Sequence, residues 1–166
     1  MLRSPIEAQQ NNPNAQLYSE ISLSVENSLA SVSGEKNIDP SNTHSQRVCG
    51  DVSDLMISDM RALGHDVFRD RRIALVDWEY DSNGDPLPIE EQNGFGYVHY
   101  YVKFPSDKPP EDEVIADATW QQFIPEDQRT DDLPKALIGT RREVHNTLLG
   151  LGFTDKDLFK IWDPQE

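Results

Sequence analysis

The chain lacks most of the features that staple or anchor a small protein. It has one cysteine in 166 residues, which excludes an intramolecular disulfide and a cysteine-rich zinc site. Basic residues are scarce: 15 Lys and Arg stand against 30 Asp and Glu, for a net charge of -15. A nucleic-acid backbone or an anionic membrane surface would repel such a chain, so neither is expected as a partner. Apolar runs are only a few residues long, too short for a transmembrane helix, and no membrane insertion is expected. The first ten residues hold one Arg and no apolar stretch, so no ordinary cleavable secretory signal is expected. His44, His65 and His145 show no metal-ligand spacing, and His65, just after a helix-ending Gly, reads as solvated. The segment from Asp81 to Asp85 resembles the opening of a calcium loop. Pro86 stands at its glycine position, however, and Gln92 where the bidentate Glu belongs, so it is read as a turn. No metal and no cofactor are expected.

What is present divides unevenly. Residues 1–45 contain nine Ser, six Asn and three Gln, a polar leader whose first sixteen residues have almost no apolar pattern. After them Leu17, Ile21, Val25, Leu29 and Val32 recur on one face of a helix, predicted over 17–33 with a Ser-rich polar face and Gly34 as its end. A loop with Asp39-Pro40 follows, and the main domain is assigned to 46–166. There Val52, Leu55, Met56, Met60 and Leu63 predict a second helix that stops at Gly64. Strands are expected over Ile73–Tyr80, Phe95–Phe104 and Val114–Trp120, and a closing helix over Arg141–Leu151. Helix, helix, three strands and a helix make an α+β fold. A leader rich in serine and amides, without a signal peptide, also suits a bacterial protein passed by contact-dependent secretion into a host or target-cell cytoplasm.

Three residues carry the chemistry. Cys49 lies where the second helix begins. Unpaired N–H groups and the partial positive charge of a helix N-terminus lower a thiol's pKa. The backbone N–H groups of Cys49 and Gly50 could also hold the oxyanion formed when a thiolate attacks an amide. A lone cysteine is otherwise a small buried apolar residue. His99 lies within the second strand, and a hairpin closed by Phe104 and Asp112 would set it directly opposite Asp117. In that register Tyr101 faces Ile115 and Tyr97 faces Thr119. An aspartate flanked by Val114, Ile115, Ala116 and Ala118 needs a partner to offset its desolvation, and paired with His99 it would fix the imidazole tautomer. A one-residue slip would put the two on opposite faces.

Those segments also carry a resemblance. The Cys49 helix ending in Arg61-Ala-Leu-Gly64, the strand Val98-His-Tyr-Tyr-Val102 and the stretch Ile115-Ala-Asp-Ala-Thr-Trp120 resemble the Cys, His and Asp segments of transglutaminase-like proteins. With Trp120-Gln-Gln-Phe123 and Leu137-Ile-Gly-Thr-Arg141, the frame is most similar to papain-like toxin and effector domains that deamidate protein glutamine. It covers about residues 46 to 152. The resemblance implies a papain-like (transglutaminase-like) fold, with the nucleophile-bearing helix packed on a small antiparallel sheet. It implies a cysteine-dependent amidohydrolase with Cys49 as nucleophile, His99 as general base and acid, and Asp117 orienting His99. The oxyanion falls to the backbone N–H groups of Cys49 and Gly50, or to Gln46. The implied product is a target protein, from the host, in which one glutamine has become glutamate; the enzyme would act as a monomer. Protease and transglutaminase activity share the same thioester chemistry and remain open. From a different class, a non-catalytic acidic binding protein of the antitoxin kind would keep the fold and use the charged surface for recognition.

Overall fold

A computed structural model describes residues 12–37, 48–75, 81–84, 87, 91, 96–123 and 129–152. Gln46, the strand residues expected at 76–80 and the first sequence positions of the leader lie outside the described residues. The described residues form three α-helices: α1 (Ala15–Lys36), α2 (Cys49–Ala62) and α3 (Arg141–Gly150). They also form one sheet of β1 (Phe68–Leu75), β2 (Gly96–Phe104), β3 (Val114–Asp117) and β4 (Leu137–Thr140). The strands lie in the order β1-β2-β3-β4, each antiparallel to its neighbour. The architecture is therefore α+β.

Alternation along the strands gives each face of the sheet its own cluster. Val102, Phe104, Val114 and Ala116 join Ile21, Val25 and Val32 of α1 and Val52, Met56 and Met60 of α2 in the larger one. On the other face, Tyr101 and Ile115 pack with Trp120, Leu137 and the α3 residues Val144 and Leu148. The apolar spacing of α2 places Cys49, Val52, Met56 and Met60 on one buried stripe. Its end is set by Gly64 at φ 90. Gly64 N–H bonds the Arg61 carbonyl at 2.9 Å and His65 N–H bonds that of Met60 at 3.0 Å, the paired closure that a left-handed glycine permits.

α1 departs from expectation in two ways. It runs through Gly34 and ends at Asn37, which takes the left-handed conformation at φ 50, one that Asn tolerates better than most residues. Its serines are not all on a solvated face: Ser24, Ser28 and Ser33 are buried. Serine is small enough to sit between packed helices, and its hydroxyl can be satisfied nearby. Ser33 Oγ donates to the Leu29 carbonyl at 2.7 Å, and Ser24 Oγ donates to Asp59 Oδ2 of α2 at 3.2 Å.

The sheet differs at its ends. β1 starts at Phe68, ahead of the expected Ile73, and β3 stops at Asp117, after which Trp120–Phe123 forms a 3-10 turn. β4 was not anticipated: four residues with a glycine among them carry no alternation signal. Behind β4, Thr140 and Glu143 form a capping box that starts α3. Glu143 N–H donates to Thr140 Oγ1 at 3.1 Å, and Thr140 N–H donates to Glu143 Oε2 at 2.8 Å. Tyr18 of α1 donates its hydroxyl to the same Glu143 oxygen, tying the leader helix to the far end of the chain. Among the described residues, no helix is long and apolar enough to cross a membrane.

Candidate active site

The site starts from the first residue of α2. The first helical bond runs from Val52 N–H to the Val48 carbonyl at 3.0 Å, so the N–H groups of Cys49 and Gly50 precede the hydrogen-bonded ladder. Cys49 is a free thiol, 5% exposed. Gly50 beside it faces the ring of Tyr100: a Cβ built there would meet Tyr100 Cδ2 at 3.6 Å, an ordinary contact. This places the start of α2 against the middle of β2, next to His99.

The β2–β3 register is shifted by two residues from the expected one. Lys103, not Tyr101, faces Ile115, and Phe104 pairs with Val114 rather than with Asp112. Tyr97 lies opposite Ala74 of β1, with no pairing to Thr119. The 3-10 turn Pro110–Asp112 accounts for the change by taking residues into the connection that the expected hairpin had assigned to its strand. A slip of two preserves the face, whereas a slip of one would not. His99 and Asp117 are therefore diagonal neighbours on one face, not directly opposed residues, and their side chains still meet. His99 Nε2 lies 2.7 Å from Asp117 Oδ2, with the two residues 0% and 1% exposed. Asp117 Oδ1 accepts from the N–H of Thr119 at 3.1 Å. Both carboxylate oxygens are thus partnered, which answers the cost of burying a charge in this apolar frame.

The protonation states of the thiol and imidazole move in opposite directions. Burial would raise the Cys49 thiol, but a hydrogen bond with His99, another to the Tyr100 backbone and the charge on the imidazole outweigh it, and the thiol lies below its ordinary range. Burial would also lower His99. The charge of Asp117 and its hydrogen bond, with the Cys49 contact adding to them, push the imidazole up to about 9. A thiol lowered and an imidazole raised beside it shift the pair toward thiolate and imidazolium. Such a pair couples a nucleophile to a proton donor.

A fourth residue contacts the ring. Gln122 Nε2 lies 2.7 Å from His99 Nδ1 and 3.3 Å from Thr119 Oγ1. It belongs to the 3-10 turn whose Trp120 Nε1 and Gln121 Nε2 both donate to the Pro134 carbonyl, at 2.9 and 2.8 Å. The sequence reading included the Trp120–Phe123 segment but gave Gln122 no role. Only the turn geometry sends its amide toward His99.

The other sequence candidates fall elsewhere. Asp81–Gly84 is a turn, with the Asn83 N–H donating to Asp81 Oδ1 at 2.8 Å. His65, expected to be solvated, is half-buried and lies 2.6 Å from Glu20 Oε2. A crevice of about 230 Å³ beside it, lined by Leu17, His65, Phe104, Lys108 and Val114 among others, includes none of Cys49, His99 and Asp117. Among the described residues no group of three His, Cys, Asp or Glu could hold a metal ion. No family model, no curated protein and no solved structure matches the chain.

Proposed function

We propose that this chain is a cysteine-dependent amidohydrolase with a papain-like (transglutaminase-like) fold, and that it converts a glutamine side chain of a target protein to glutamate. The observation that carries the reading is the meeting of Cys49, His99 and Asp117, from a helix start and two strands, with thiol and imidazole shifted toward the ion pair. The thiolate sulfur attacks the carboxamide carbon, and the backbone N–H groups of Cys49 and Gly50 receive the developing oxyanion. His99 gives its proton to the amide nitrogen, the C–N bond breaks and ammonia leaves a thioester on Cys49. Neutral His99 then takes a proton from water, the hydroxide attacks the thioester carbon, and the thiolate departs from glutamate. Asp117 holds the imidazole orientation and stabilises its charged form throughout.

The same thioester met by a primary amine gives transfer, and attack on a backbone amide gives proteolysis. Deamidation is favoured by access: a thiol only 5% exposed is reached more readily by a slender side-chain carboxamide than by a main-chain amide. A bacterial effector delivered into a target cell fits the serine- and amide-rich leader.

The test is incubation of candidate target proteins with wild type and Cys49→Ala, read by intact mass, peptide mapping and ammonia assay. The expected product is about one mass unit heavier at one glutamine, with ammonia released in equal amount and no backbone cut. Identical targets after treatment with the two proteins, with binding retained, would replace the enzyme by a binding protein.

A further inference from the structure

The imidazole of His99 is contacted at both nitrogens, and in the neutral ring a single tautomer satisfies both contacts. Asp117 Oδ2, 2.7 Å from Nε2, can only accept, so Nε2 carries a proton. Gln122 Nε2, 2.7 Å from Nδ1, can only donate, so Nδ1 offers its lone pair. The remaining lone pair then lies on Nδ1, and Gln122 must give it up before that nitrogen takes a proton from thiol or water. Gln122 is delivered there by a pinned turn: its N–H bonds the Thr119 carbonyl at 3.1 Å, while Trp120 and Gln121 anchor on Pro134.

We infer that Gln122 is a positioning residue of this site: by donating to Nδ1 it holds His99 in its Nε2-protonated neutral form and opposes protonation of the ring. The catalytic meaning rests on the proposed role of Cys49; the hold on the ring does not. Among the described residues, the Asp117 carboxylate from β3 and the Cys49 thiol from α2 are titratable groups that bear on His99, and Arg72 holds the register position opposite it on β1. Asp117 and the Cys49 thiolate both favour the imidazolium. Gln122 is the counterweight, because a donor aimed at a lone pair stabilises only the unprotonated state. The proposed reaction needs both states in turn, imidazolium to release ammonia and neutral ring to activate water. A counterweight keeps the second within reach.

The experiment is a pH titration of the full chain labelled with 15N-histidine, read by long-range 1H–15N NMR at His99, for wild type, Gln122→Met and Gln122→Glu. In the wild type the neutral ring carries its proton on Nε2. Gln122→Met keeps side-chain length without a donor and raises the His99 midpoint by about half a pH unit, or about threefold in the protonation equilibrium. Gln122→Glu raises it further, since a carboxylate accepts from Nδ1–H, and reads the same contact if the Met variant fails to fold. A midpoint unchanged or lowered in Gln122→Met, or a wild-type neutral ring protonated on Nδ1, overturns the inference; a residue that only fills space moves neither. Iodoacetamide labelling of wild-type Cys49 at neutral pH separates the two readings. Slow labelling with a raised midpoint sinks the enzyme and leaves the hold of Gln122 standing, while fast labelling with an unmoved midpoint does the reverse.

Discussion

Two histidine–carboxylate pairs sit in this molecule at nearly equal distances, 2.7 Å for His99–Asp117 and 2.6 Å for His65–Glu20. Their surroundings differ. His99 and Asp117 are 0% and 1% exposed, whereas the side chains of His65 and Glu20 are 30% and 27% exposed. The first pair has a thiol against its ring, and the second lies beside an open crevice that holds no cysteine. A short contact by itself therefore does not single out a candidate site. Burial strengthens the electrostatic coupling, and a third group supplies something for the imidazole to act on.

The largest expected contrast lies in the chemistry. Under the proposed reaction Cys49→Ala and His99→Ala each lower ammonia release by about four orders of magnitude, since its nucleophile and base act as a unit. His65→Ala leaves it unchanged. Equal losses from His99→Ala and His65→Ala in a matched ammonia assay would erase the distinction between the pairs.

Next comes the carboxylate. Asp117→Ala leaves a buried imidazole without its partner and destabilises the fold by about 3–5 kcal/mol in urea unfolding. Asp117→Asn keeps the shape and lowers turnover by about a hundredfold. Glu20→Gln shifts the unfolding midpoint less than either, because solvent screens a half-exposed pair. A Glu20→Gln shift as large as that of Asp117→Ala would show that burial is not what separates them.

The smaller effect is the pH dependence. His99 titrates near 9 against an ordinary 6.5, so its pairing contributes stability in full below about 6.5 and loses it as pH rises through about 9. Cys49, shifted down, has the opposite sign: its contribution is present above the ordinary thiol range and is lost as pH falls through its folded value. The two partly cancel near neutrality, so turnover is the clearer readout. It falls as pH rises through about 9, when the imidazolium that protonates departing ammonia is lost. Asp117→Asn moves that limb to lower pH, measurable in a pH–rate profile.

Much of this arrangement is legible in the sequence. The apolar spacing of α2 placed Cys49 at a helix start, because a buried stripe at Val52, Met56 and Met60 can be formed in only one helical phase. His99 and Asp117 could be matched because strand parity is a local property, and it survived a register two residues from the expected one. Other features were hidden for stated reasons. β4 is too short to show a period, and the burial of Ser24 and Ser33 in α1 is hidden because their partners, Asp59 and Leu29, lie on another helix or a turn away.

The sequence by itself determined the three helices, the central strand, their apolar faces and the residue types proposed as nucleophile, base and orienting acid, because periodicity and side-chain chemistry are written in neighbouring residues. Tertiary structure alone decided the β2–β3 register, the burial that couples Asp117 to His99, and the approach of Gln122 to Nδ1. Each of these depends on a turn length or a packing contact between distant segments. The Pro110–Asp112 turn moves a whole strand, and the Pro134 carbonyl anchors the turn that aims a glutamine at the ring.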